Sequence, residues 1–115
     1  MFKYSYNKEV FLNEDDISYY LLGLYITDGN LHNGAVSLLS IDNEIIEKIR
    51  DLICPEKTIY SVKSYPKAKR FRIHNKEIYN WFIKHGCVPN KTKIVEFPNI
   101  PQKYISHFMR GLIDG

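Results

Sequence analysis

Asp28 closes the string Leu21-Leu22-Gly23-Leu24-Tyr25-Ile26-Thr27-Asp28-Gly29, and a related string, Met109-Arg110-Gly111-Leu112-Ile113-Asp114-Gly115, lies at the end of the sequence. Aligned on Gly23 and Gly111, which stand 88 residues apart, the two share Gly-Leu and an apolar pattern of helical period. Glycines at equivalent places on two apolar helices let the backbones approach closely, so each helix would deliver its last residues to one shared point. A carboxylate at such a point holds a hard cation such as Mg²⁺. Two would hold the paired metals that cleave a phosphodiester by in-line attack of water. Asp28 has the right place for this. Asp114 does not: the alignment sets it against Ile26, on the helix body, and the match for Asp28 would be residue number 116. The plainer alternative for Asp28 is a helix-terminal residue before a turn.

Charge is the second chemical signal. The net charge of the 115 residues is only +3, but it is unevenly spread. Residues 1–56 carry four Lys/Arg against ten Asp/Glu, whereas residues 57–93 carry ten Lys/Arg against Glu77 alone. The resulting +9 block is large enough to attract a polyanion such as nucleic acid, the alternative being a solvated lysine-rich surface. No run of about 18 apolar residues occurs, so no membrane span is expected. The N-terminus lacks the apolar run of a signal peptide. Cys54 and Cys87 lie far apart without Cys-x-x-Cys spacing and read as reduced thiols of an intracellular, cytoplasmic protein.

The elements that must position these residues follow from pattern. A composition 44% apolar suffices for the core of one domain spanning residues 1–115. Residues 1–15 read as a lead-in with aromatic anchors. Glu14-Asp15-Asp16 marks the start of a helix to about Thr27, apolar nearly all round and therefore buried or paired. Asn33-Gly34 predicts a hairpin turn. Asp42 caps a helix to about Ile53 with Ile45, Ile46, Ile49 and Ile53 along one stripe. Residues 57–64 and 69–74 predict a second hairpin around Tyr65-Pro66-Lys67-Ala68. In Arg70-Phe71-Arg72-Ile73-His74, Phe71 and Ile73 alternate toward a core while Arg70, Arg72 and His74 face away. Asn75 caps a helix to about His85, with Ile78, Trp81 and Phe82 inward. His85 and His107 read as helix-surface residues. Pro101 opens a last helix, 102–115, that carries the second string. The expected class is α+β: αββαββα, a four-stranded antiparallel sheet with helices on one face.

The two strings, with two hairpins and two helices between them, resemble the paired motifs of the LAGLIDADG homing endonucleases over nearly the whole chain. That resemblance implies a site-specific double-strand DNA endonuclease, associated with an intein or intron or free-standing, working on the nucleoid with Mg²⁺ (or Mn²⁺). It implies a helix–helix interface of Leu21, Gly23, Leu24, Gly111 and Leu112. Asp28 would be a metal ligand, with the Thr27 carbonyl as a second candidate. Lys93, or Lys91 beside it, would be the basic residue that assists catalysis. The sheet would lie over the DNA major groove, with Asn30, His32, Asn33, Ser37, Arg70, Arg72 and His74 toward bases and Lys57, Lys63, Lys67 and Lys69 adding contacts. Because residue 116 lies beyond Gly115, the resemblance implies at most half an active site here. The other half would come from a second αββαββ unit after residue 115, or from a homodimer paired through the Gly23 helix. Two alternatives share the fold: a non-catalytic DNA-binding transcription regulator and an RNA maturase.

Overall fold

The structure, a computed structural model, describes residues 4–87 and 99–115. The elements run α1 (Glu9–Leu12), α2 (Asp16–Asp28), β1 (Gly29–His32), β2 (Ala35–Ser40), α3 (Asn43–Ile53), β3 (Tyr60–Val62), β4 (Tyr65–His74), α4 (Lys76–Lys84), a 3-10 turn (Gln102–Tyr104) and α5 (Ile105–Asp114). The class is α+β, with one antiparallel four-stranded sheet in the order β1-β2-β4-β3. Its inner face, carrying Leu31, Val36, Leu38, Phe71 and Ile73, is buried against α2, α3 and α4.

Local chemistry sets the boundaries. The Asp15 side chain accepts from the Ser18 amide, and the Ser18 hydroxyl engages the Asp15 amide in return, so α2 begins in a capping box. Asp42 and Asn75 cap α3 and α4 through their side-chain oxygens. Asn33 and Gly34 take φ of 49° and 83°, the left-handed pair that a tight two-residue hairpin requires. The helix α2 is buried around most of its circumference, from Ser18 and Tyr19 to Leu24 and Tyr25, as its all-round apolar pattern requires.

The second hairpin departs from expectation. Its turn is Lys63–Ser64, and Tyr65–Ala68 belongs to β4. Ser61 pairs with Lys69 and the next residue, Val62, with Tyr65, so Pro66, Lys67 and Ala68 form a bulge without β3 partners. Pro66 reads as a turn residue in sequence, yet here its missing N–H breaks no ladder bond.

The lead-in contains a further short helix. In α1, Phe11 is fully buried and meets Trp81 and Phe82 at 5.5 and 5.2 Å between ring centroids. His85 is not a surface residue: its side chain is 12% exposed, stacked on Trp81 at 4.1 Å. Its ring nitrogens contact the Trp81 carbonyl at 2.8 Å and Glu14 Oε1 at 2.6 Å, which ties the end of α4 to the entry of α2.

Candidate nucleic-acid interface and helix junction

The helices α2 and α5 meet backbone to backbone. A Cβ on Gly23 would overlap the Phe108 carbonyl oxygen and stand 2.9 Å from the Leu112 nitrogen. A Cβ on Gly111 would overlap the Tyr20 carbonyl oxygen and stand 2.8 Å from the Leu24 nitrogen. Tyr20 with Phe108, and Leu24 with Leu112, are separated by the same 88 residues as the two glycines. The contacts are therefore related by a local twofold axis in the register of the repeated string. Gly115 and Thr27, another pair at that offset, also touch. The stripe of α2 facing α5 is Tyr20, Gly23, Leu24 and Thr27. Leu21 is fully buried one position off this stripe, within the core.

The register explains Asp114. It is the last residue of α5 and accepts a hydrogen bond from the Tyr20 hydroxyl at 2.7 Å, with the Arg110 guanidinium 5.2 Å from the Tyr20 ring centroid. Burial, then the Asp114 hydrogen bond and charge, push the Tyr20 hydroxyl up to about 12 from its ordinary 10. Folding raises this acid, so the stability tied to it is intact below pH 10 and is lost as pH rises through about 12. Burial of Tyr25 acts in the same direction. Between about pH 10 and 12, unfolding free energy is expected to fall less steeply in Tyr20→Phe than in the parent chain. Identical slopes in denaturant titrations would contradict that attribution.

Asp28 is the last residue of α2 and leads directly into the edge strand β1. It is half-buried and lines an open hollow of about 440 Å³ with Leu39, Ser40, Ile41, Asp42, Tyr65, Ala68, Asp114 and Gly115. Thr27 turns its hydroxyl back onto its own helix, donating toward the Gly23 and Leu24 carbonyls at 3.2 and 3.0 Å. Three carboxylates thus rim one hollow, but among the described residues no group of three His, Cys, Asp or Glu is placed to hold a metal ion. A carboxylate such as Asp28 would hold Mg²⁺ or Mn²⁺ only together with further oxygen ligands from water or a substrate phosphate. Lys91 and Lys93 lie outside the described residues.

The outer face of the sheet gathers most of the other candidates. Strand register sets Asn30, Ser37 and Arg72 in one row and His32, Ala35 and His74 in the next; Leu39, Arg70 and Tyr60 form a third. Asn30, His32, Asn33, Ser37, Arg72 and His74 line a shallow hollow of about 180 Å³. A neighbouring one of about 340 Å³ is lined by Lys57, Tyr60, Arg70, Arg72 and His74. Lys57 also sits 4.3 Å over the Tyr4 ring. Lys63, in the turn, and Lys67, in the bulge, are exposed at the β3–β4 end.

Lys69 leaves this group. Strand alternation sends it to the side opposite Arg70, where it lines a hollow with Asn43, Ile46 and Arg50 of α3 and donates to Ser61 Oγ at 2.8 Å. Tyr60, half-exposed and opposite Arg70, joins the face without having been singled out in the sequence. Its one signal was its place in a strand whose neighbour presents arginine.

No family model matches this chain, and no curated protein matches it.

Proposed function

We propose that this chain is a duplex-DNA-binding unit of the LAGLIDADG endonuclease type that carries one acid, Asp28, of a cutting centre. The observation that carries the reading is the glycine-paired, twofold junction of α2 and α5 in the register of the repeated string. It puts Asp28 at the end of the junction, next to a sheet whose outer face presents Arg70, Arg72, Asn30, Ser37, His32 and His74 in ordered rows. An antiparallel ribbon with arginine, asparagine and histidine on its open face has the donors and acceptors that read base edges in a major groove. Lys57, Lys63 and Lys67 at its border suit phosphates, which set affinity and salt dependence. Such a protein would act inside the cell, on chromosomal DNA.

Hydrolysis of both strands by Mg²⁺ or Mn²⁺ chemistry needs acids in addition to Asp28, and a second motif-bearing unit would supply them. Pairing two copies through the Gly23 helix requires a surface that α5 already covers. A non-catalytic DNA-binding regulator is the second reading, since it would need only the polar outer face of the sheet.

Nicking of supercoiled plasmid by the purified chain with Mg²⁺ or Mn²⁺ separates the two. Weak nicking that falls to background in Asp28→Asn, with DNA binding retained, is expected for the nuclease. Nicking unchanged in Asp28→Asn would remove Asp28 from the chemistry, and binding without any nicking would favour the regulator.

A further inference from the structure

The chain has four histidines, and two of them, His32 and His74, stand in one row on the outer face of the sheet. Ala35 lies between them in register, so their Cα atoms are two strand spacings, roughly 10 Å, apart across a small side chain. Both are exposed, and both line the hollow that also holds Arg72. The other two histidines are elsewhere: His85 is tied to Glu14, and His107 is on α5.

The surroundings of the row are cationic or neutral. Next to His32, the Asn33 side-chain nitrogen lies 3.1 Å from Nε2. An amide can offer that ring a donor or, turned over, an acceptor, so it suits the ring with or without a second proton. Around His74 stand Arg72 on the same strand, Arg70, Lys57 and Tyr60 in the adjoining hollow, and Tyr6, whose hydroxyl meets the His74 backbone. Glu77, in the first turn of α4, is held by Lys8 at 2.8 Å. Asp28 borders a different hollow. No carboxylate lines either hollow of the outer face.

Histidine is the side chain whose charge ordinarily changes between pH 5 and 8. A second proton on either ring would add a cation to a face that has no acid to balance it. A phosphate laid against the face supplies the balance. A polyanion that prefers the protonated form must, by linkage, take up protons as it binds.

We infer that His32 and His74 are phosphate contacts made only in the protonated form, so that duplex binding by this face is coupled to proton uptake. The inference rests on the reading of the sheet as a DNA-binding face and adds a regulation of that face by pH.

Anisotropy titrations of the full chain with duplex DNA at pH 6 and pH 8, over a range of salt, test it. Affinity should be about tenfold higher at pH 6. The slope of log K against log salt should be steeper there by about 1–2, since each added phosphate contact contributes about 0.9. With His32→Gln and His74→Gln together, affinity should be nearly the same at both pH values. With both changed to Arg, binding at pH 8 should match the parent at pH 6. His107→Gln should keep the parent's pH response. Parent binding that is equal at the two pH values would overturn the inference and leave the DNA-binding reading standing. So would a pH response that survives in the Gln pair or disappears in His107→Gln, or an Arg pair no tighter than the parent at pH 8. Absence of duplex binding at both pH values would overturn the inference and the reading together.

Discussion

Gly23→Ala is expected to destabilise the fold by about 2–3 kcal/mol, although it puts the best helix former into a helix. Propensity alone favours alanine by about 1 kcal/mol. The added Cβ, however, would overlap the Phe108 carbonyl oxygen and crowd the Leu112 nitrogen. Both obstacles are backbone atoms of a helix, so no side chain can rotate away. The helices must separate, and the packing along Tyr20, Leu24 and Leu112 loosens with them. For a domain of this size the thermal midpoint should fall on the order of 10 °C. By the local twofold, Gly111→Ala should do the same, since its Cβ would overlap the Tyr20 carbonyl oxygen. An unchanged or raised midpoint by calorimetry in either variant would mean that α2 and α5 do not meet through their glycines.

The second large effect concerns the sheet. Replacing Arg70 and Arg72 together by alanine is expected to weaken duplex-DNA binding on the order of a hundredfold or more. If each contacts a phosphate, the slope of log K against log salt should also become shallower by about 2. Lys69→Ala is the matched control. It removes one positive charge from the adjacent residue of β4, but that side chain lies on the α3 side with Ser61. Its effect should be within a few-fold. Net charge alone predicts a graded loss with each cation removed, whereas a reading face predicts the contrast between Lys69 and its neighbours. Equal losses per charge in titrations of the two variants would argue against a face.

Much of this architecture was legible because local chemistry decides it. Asn33-Gly34 dictates its turn, Asp42 and Asn75 cap the helices they precede, and the alternation of Phe71 and Ile73 with Arg70 and Arg72 fixes which side of β4 is wet. The glycine junction was legible too, from two strings 88 residues apart. What escaped depends on contacts between distant residues. Pro66-Lys67 has turn composition but sits in a bulge set by how β3 pairs with β4. His85 reads as surface because nothing local reveals that Glu14 reaches it from the start of α2. Lys69 is the exception: the alternation that turns Arg70 and Arg72 outward already puts it on the other side, and only its place in the basic block grouped it with them. Asp114 has no local sign of its role, which is set by the Tyr20 hydroxyl across the junction.

The most direct measurement of the proposed function is the affinity of the 115-residue chain for random-sequence duplex DNA and for a structured RNA hairpin, read by anisotropy over a range of salt. The proposed function predicts tighter binding to the duplex at every salt concentration. It also predicts a log K that falls linearly with log salt, by about 0.9 for each phosphate contacted. Tighter binding to the hairpin throughout, or no duplex binding even at low salt, would contradict it.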